Sequence, residues 1–167
     1  PRKGDGMKKI RIGLFGFGKT GKLVANEILQ DDRFELAWVV KRTRKFSEHY
    51  ASRLLGGESK VGAIHAVDSL NARFYAKNPV DILVDFSSPA GYRSYREAPE
   101  AGVRIITAIS KYEPEDLAVL QDMARAAAVL CSPNITLGIN FLLVASQVLQ
   151  KIAPHADVEI IEEHFRG

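Results

Sequence analysis

The sequence predicts an α/β fold, a doubly wound parallel sheet followed by the start of a mixed α+β unit. Three observations predict it. Short apolar, β-branched runs alternate with amphipathic stretches of helical period through residue 132. The connections between them are short, as in crossovers that carry helices onto both faces of a sheet. A glycine cluster sits where the first run meets the first helical stretch. At 167 residues, 46% apolar and 26% charged, the chain can bury roughly 70% of the surface its unfolded form exposes.

Lys9 to Phe15 (KIRIGLF) reads as a strand entering a core, and Gly16-Phe-Gly-Lys-Thr-Gly21 follows at once. A helix is expected from about Lys19 to Gln30, with Thr20, Val24 and Ile28 on its inner face and Asp31-Asp32 closing it. Phe34 to Val40 is a second strand, rich in β-branched and aromatic residues. Residues 41–78 hold a basic cluster, a short helix at Ser47–Leu54 and a break at Gly56-Gly57. Val80 to Phe86 (VDILVDF) is a buried strand, and Ser87 to Gly91 a turn. A helix over Tyr92–Ala101 ends at Gly102, a good C-terminal stop. Val103 to Ala108 is the next strand. Pro114 opens a helix with Glu115 and Asp116 on its positive end and Leu117, Leu120 and Ala124 facing inward. Ala128 to Ser132 is a last short strand.

After Pro133-Asn134 the pattern changes to a long apolar helix, Leu137 to Ile152, and a strand over Asp157–Glu163. The expected organisation is therefore 7–132 as a nucleotide-binding unit and 133–167 as the N-terminal part of a second domain. A segment that short cannot close a core of its own, so the second domain is expected to be incomplete. Residues 1–6, ahead of Met7, carry no apolar h-region and read as a remnant rather than a signal peptide.

Composition narrows the function. Cys131 is the one cysteine, which excludes an internal disulfide framework, a four-cysteine zinc site and a CxxC redox pair, and fits a reducing, cytoplasmic setting. His49, His65 and His155 have no partners at metal-ligand spacing, so no metal site is expected. The most apolar stretch, Leu137 to Leu149, is interrupted by Asn140, Ser146 and Gln147 and is too short to cross a bilayer. Lys and Arg outnumber Asp and Glu by sixteen to eight in residues 1–78, but fall short by seven to twelve in 79–167. A basic half suits nucleic acid or a small phosphorylated ligand, with solvated surface as the plain alternative.

Gly16, Gly18 and Gly21 match G-x-G-x-x-G, directly after a strand and opening a helix. Gly16 allows the turn, Gly18 lets a diphosphate approach the backbone, and Gly21 lets helix pack on strand. Phe17, Lys19 and Thr20 complete the loop, and the helix N-terminus offers unpaired N–H groups to an anion. Where an NAD site would carry Asp or Glu, this chain has Lys41-Arg42-Thr43-Arg44-Lys45. Most charge runs are solvated loops. This one falls where the adenosine ribose should lie, which favours a 2′-phosphate and hence NADP(H), with NAD(H) as the second choice. The run lacks interleaved aromatics, which argues against nucleic acid. Asp85 ends a buried strand at the sheet's carboxyl edge and reads mainly as a cap for the turn at Ser87-Ser88. Cys131 reads as a buried packing residue. Glu159 and Glu163 would share one face of a strand while Glu162 points away, and an exposed polar face is the ordinary reading rather than an acid/base pair.

Together, Gly16–Gly21, Val84-Asp-Phe-Ser-Ser-Pro89, Ser132-Pro-Asn134, Gly138 and Val158-Glu-Ile-Ile-Glu-Glu-His164 resemble the dihydrodipicolinate reductase family. The resemblance implies a Rossmann domain, a substrate domain on a mixed sheet, a homotetramer, a small-molecule substrate, and NAD(P)H-dependent reduction of a cyclic imine in lysine and diaminopimelate synthesis. It implies that Phe86, Ser87 and Ser88, with Thr107, Ala108, Ile109 and Ser110, border the nicotinamide. Ser132, Pro133, Asn134 and Ile135 would line the nicotinamide and hinge. His164 matches the family's proton donor, a role suited to a side chain that titrates near neutrality. The chain departs from the family at Phe165, where a second histidine is usual, and at Thr107–Ser110, where the family has Gly-Thr-Thr-Gly. The substrate-binding lysine and Ser-Gly-Thr segment would lie beyond Gly167, so this chain is expected to bind coenzyme but turn over poorly. An NADP-dependent diamino-acid dehydrogenase and a non-catalytic nucleotide-binding or redox-sensing module are the other readings.

Overall fold

The computed structural model describes residues 8–42, 49–159 and 161. The chain divides into two compact units, one up to Pro133 and one from Asn134. In the first unit, β1 (Ile10–Phe15), α1 (Lys19–Gln30), β2 (Phe34–Lys41), α2 (Ala51–Leu54), β3 (Ala63–Ala66), α3 (Ala72–Lys77), β4 (Ile82–Asp85), β5 (Arg104–Thr107), α4 (Pro114–Met123) and β6 (Val129–Cys131) follow in order. All adjacent strands pair in parallel, and the spatial order is β3-β2-β1-β4-β5-β6. The sheet grows outward from β1 in both directions. Its order therefore reverses between β1 and β4, where the carboxyl ends of neighbouring strands leave a crevice.

Strand alternation explains the two cores. Neighbouring residues on a strand point to opposite faces, so Leu14 and Phe15, like Val39 and Val40, fall into different apolar clusters. One cluster gathers Phe15, Trp38, Phe74, Leu83, Tyr95, Ile105 and Leu120. The other gathers Leu14, Phe17, Ala25, Leu36, Val39, Ala51 and Ile64. Trp38, fully buried, lies over Gly13, where any Cβ would collide with its ring. Its indole N–H donates to the Asn78 carbonyl at 3.0 Å.

Several expectations need correction. No helix spans Tyr92–Ala101; two short 3-10 segments, Pro89–Ser94 and Pro99–Ala101, take its place. Inside such a helix Pro99 would leave the Tyr95 carbonyl without its donor and press its ring against it. Gly102 still ends the segment, at φ 79°. The face of α1 is Gly21 and Ala25, flanked by half-buried Val24 and Ile28, while Thr20 is exposed. Small residues there bring the helix close to the strands. On α4 the inward residues are Leu120 and Met123, whereas Leu117 and Ala124 are exposed. Asp116 occupies the turn before them, accepting from the Tyr92 hydroxyl at 2.8 Å and from the Glu113 amide at 3.2 Å. The loop region 41–78 hides β3 and α3, neither of them foreseen. Of the helix expected at Ser47–Leu54, only Ala51–Leu54 forms among the described residues; Ser47 and Glu48 lie outside them.

The second unit contains α5 (Leu137–Ile152), as expected. No α5 residue is buried; Leu137, Phe141 and Ile152 are among its exposed apolar side chains. Of the strand expected at Asp157–Glu163, residues 157–159 and 161 have no regular structure, and 160 and 162–163 lie outside the described residues.

At the end of α1, Asp31 accepts from the Arg33 backbone N–H at 2.9 Å and pairs with its guanidinium at 2.6 Å. The side-chain bond to Arg33, then the backbone one, hold the Asp31 carboxyl down at about 2. A carboxyl depressed on folding stabilises the fold above its ordinary range and loses that contribution as pH falls through about 2. NMR titration of the Asp31 carboxyl carbon is expected to give that low midpoint, and Arg33→Ala to raise it only part of the way to the usual carboxylate range, since the backbone N–H at position 33 still donates.

Candidate functional site

The site starts where β1 runs out. Gly16 takes φ 96°, a region that side-chain-bearing residues rarely adopt. Its amide donates to the Val40 carbonyl at 3.1 Å, fastening the loop to the end of β2. A Cβ at Gly16 would stand 2.8 Å from the Phe86 carbonyl and the Ser87 nitrogen, so the loop after β4 lies directly against it. A Cβ at Gly21 would strike the Gly16 carbonyl oxygen, and that closeness seats α1 on the loop. Gly18 differs. Nothing lies within 4 Å of where its Cβ would be.

Gly18 is also the N-cap of α1, with no side-chain cap and no acidic residue in the first turn. Every helix leaves its first N–H groups without internal partners, and most sequences fill them. Helix α4 does so here with a reciprocal capping box between Glu113 and Asp116 and with Glu115 in its first turn. Helix α1 leaves its positive end open beside unoccupied space at Gly18, the arrangement that receives an anion.

The opposite wall is the turn after β4. The Phe86 amide donates to the Phe15 carbonyl at 2.8 Å, and the Ser87 amide donates to Asp85 Oδ1 at 2.8 Å. Asp85 thus caps the turn, as the sequence suggested. Its carboxylate is fully buried, and Oδ2 accepts from the Tyr95 hydroxyl at 2.8 Å. Burial pushes this carboxyl up, and the bonds from Ser87 and Tyr95 partly offset that.

These walls enclose an open cleft of about 590 Å³. Gly16, Phe17 and Gly18 form its floor; Lys41 and Arg42 stand at the end of β2; Phe86, Ser87 and Ser88 line the far side. These eight expected residues meet in one place. Phe15 and Val40, at the ends of β1 and β2, also line it, as do Val67, Ala90, Gly91 and Ser94; none of these six was foreseen as a site residue. Val67 follows the unread strand β3, and Ala90, Gly91 and Ser94 lie in or beside the stretch misread as helix. Lys19, Thr20 and Gly21 belong to α1 and do not line the cleft.

Other expected residues sit elsewhere. Ala108, Ile109 and Ser110 follow β5, one strand beyond the cleft, with Ile109 buried and Ser110 exposed. Thr107 Oγ1 and the Tyr112 hydroxyl bond at 2.7 Å, so side chains rather than flexible glycines hold this loop. Ser132 donates its amide to the Thr107 carbonyl at 2.9 Å, and Pro133 is exposed. Asn134 and Ile135, in the second unit, are exposed; the Asn134 carbonyl accepts from the Asn140 side chain at 2.7 Å. Cys131 packs against the larger apolar cluster, as expected, but is half-buried rather than buried, and burial pushes its thiol up. His65 is half-buried, with its ring edge-on to Phe74 at 4.9 Å, and His155 is exposed. Among the described residues no group of three acidic, histidine or cysteine side chains could hold a metal. No described helix is long and apolar enough to cross a membrane. Glu159 is exposed; Thr43, Arg44, Lys45, Glu162, Glu163, His164 and Phe165 lie outside the described residues.

Comparison with known proteins agrees with this geometry. The 4-hydroxy-tetrahydrodipicolinate reductase of Nitrosomonas europaea is 38% identical over 96% of this chain and 59% of its own length. That of Geobacillus kaustophilus is 32% identical over 93% of this chain and 57% of its own length. The chain therefore spans a little under three fifths of these relatives. Among solved structures, a dipicolinate-bound dihydrodipicolinate reductase from Paenisporosarcina sp. TG-14 shares the fold, with a TM-score of 0.62 at 14% identity over 86% of this chain and 54% of that one. Residues 10–135 match the family described as dihydrodipicolinate reductase, N-terminus. Since that match takes in β1 through β6 and both walls of the cleft, the chain belongs to the dihydrodipicolinate reductase family.

Proposed function

We propose that the unit ending at Pro133 binds a nicotinamide dinucleotide in the cleft between the Gly16–Gly18 loop and the Phe86–Ser88 turn. In the full-length protein the bound coenzyme would serve to reduce a dihydrodipicolinate-type cyclic imine to tetrahydrodipicolinate, in lysine and diaminopimelate synthesis. The observation that carries this reading is the uncapped N-terminus of α1 beside open space at Gly18, within one cleft that also holds Lys41 and Arg42. A dinucleotide needs both features: backbone N–H groups for its diphosphate and a polar contact for its adenosine ribose. The residues present fit the coenzyme.

The same end of β2 supports NADP(H) over NAD(H). The run Lys41–Lys45 contains no carboxylate to accept from a ribose 2′-hydroxyl, whereas Arg42 can offer a bidentate fork and Lys41 a point charge to a 2′-phosphate. When bound, the coenzyme supplies a hydride. The chain's own tasks are to hold the diphosphate on α1, to keep the Phe86–Ser88 turn in place beside the nicotinamide half, and to provide a proton from His164. An imidazole can give that proton near neutral pH and be reprotonated from solvent. The reading extends to a cytoplasmic homotetramer assembled through the second domain; the apolar residues of α5, most of them exposed and none buried, support further protein covering that helix.

Two measurements on this 167-residue chain test the coenzyme site. Lys41→Ala and Arg42→Ala are each expected to weaken NADPH by about tenfold, ~1.4 kcal/mol, and to change NADH by less than about twofold in fluorescence titrations. Equal loss for both coenzymes would count against the 2′-phosphate assignment. Gly18→Ala, at the N-cap of α1, is expected to cost no more than about 1 kcal/mol of stability yet bind either coenzyme at least about tenfold more weakly, because the new methyl group would stand where the diphosphate approaches. Gly16→Ala, strained and pressed on Phe86, should instead cost about 1–3 kcal/mol of stability in urea.

A further inference from the structure

The buried carboxylate of Asp85 has no place in hydride or proton transfer, yet it is the hub of the sheet's carboxyl edge. It is fully buried, and both oxygens are taken: Oδ1 by the Ser87 amide at 2.8 Å and Oδ2 by the Tyr95 hydroxyl at 2.8 Å. Tyr95 is itself fully buried, and its ring packs edge-on against Phe15, the last residue of β1, at a centroid distance of 5.2 Å. The carboxylate therefore links the turn after β4 to a phenol wedged under the glycine loop.

The surroundings allow one arrangement of this turn. A Cβ at Gly91 would collide with Ser87 Oγ and stand 3.1 Å from both Asp85 Oδ2 and the Phe15 ring. The Ser87 nitrogen in turn lies where a Cβ on Gly16 would fall, at 2.8 Å. The Asp85 carbonyl accepts from the Ala108 amide at 3.0 Å, and Asp85 pairs with Thr107 across the β4–β5 ladder. The loops after β1, β4 and β5 thus converge on one residue. Packing alone does not call for a carboxylate here. Burying it is costly, and apolar groups of similar shape often replace a buried polar pair without loss of stability. What such a replacement could not do is hold the Ser87 N–H, and with it the Phe86–Ser88 wall, in a set orientation.

We propose that Asp85, with Tyr95 as its buried partner, is a positioning residue that orients the Phe86–Ser88 turn for the nicotinamide half of the coenzyme. The proposal rests on the coenzyme reading above. Asp85 touches neither coenzyme nor substrate; it acts through the Ser87 amide. Losing it lets that turn relax while leaving the α1 N-terminus and Lys41–Arg42 in place. Binding of the adenosine half should then survive, and binding of the intact dinucleotide should suffer.

The test compares two ligands on the 167-residue chain, NADPH and adenosine 2′,5′-bisphosphate, by calorimetric titration. Asp85→Ala is expected to weaken NADPH about tenfold and to change the bisphosphate by less than about twofold. Asp85→Asn can still accept from the Ser87 amide while the Tyr95 hydroxyl turns to accept from the new NH₂, so it should restore NADPH to within about threefold of wild type. Should Asp85→Ala fail to fold, Tyr95→Phe carries the test, with a smaller loss of about three- to fivefold confined to NADPH. Equal weakening of both ligands in the folded variants, or no weakening of either, would overturn the positioning role while the coenzyme reading stands. Wild-type chain that binds neither ligand would overturn the coenzyme reading, and this inference with it.

Discussion

The contact between the Gly16 loop and the Phe86–Ser87 peptide is the constraint from which the rest of the site follows. Two backbones meet there with no room for a side chain on Gly16, and the side chains of Ser87, Asp85 and Phe15 leave none for a Cβ on Gly91. Closeness of that kind forces the loop into a positive-φ turn, aims α1 away from the strand edge and leaves its N-terminal amides facing outward. Across that contact the open space at Gly18 faces a second wall.

The sheet order makes that contact available. Building outward from β1 in both directions sets β1 beside β4, although three α-helices and two other strands separate them in sequence. Their carboxyl ends then diverge, since each chain leaves toward a different face. Helix dipole, glycine clearance and the two cations at the end of β2 all gather at that divergence. A ligand with two separated anionic groups finds both of them answered within one cleft, which no single element of the fold could provide.

Polar burial beneath the cleft is unusually concentrated. Asp85 and Thr107 are two of the three buried polar or charged residues among the described part of the chain, and they face each other across β4 and β5. Tyr95 and Tyr112 satisfy them, so this edge is braced by hydrogen-bonded side chains rather than by apolar packing alone. Directional bonds specify orientation more sharply than apolar contact does. Orientation is what a coenzyme site requires of its walls.

Local chemistry determined much of this protein. The strand-then-glycine order over Lys9–Gly21, the helix from Lys19 to Gln30, the apolar run of β4 and the Pro114 helix start could all be read from residues alone, because period, caps and turn residues act over a few positions. The glycine loop and Lys41–Arg42 could also be grouped from residues alone, each at the carboxyl end of a strand, whereas Phe86–Ser88 joined them only through the family resemblance. What escaped was long-range. Strand β3 is four residues long, earns its place only by pairing with β2 and brings Val67 to the cleft. Tyr92–Ala101 was expected to be helical but contains Pro99, and its two tyrosines find their partners in the distant Asp116 and Asp85. Tertiary structure alone decided which small residues of α1 face the sheet, that Thr107 replaces glycine flexibility with a bond to Tyr112, and that Asp85 binds Tyr95. The reason is physical: each depends on the distance between segments far apart in the chain, and a sequence records spacing along the backbone but not separation across the fold.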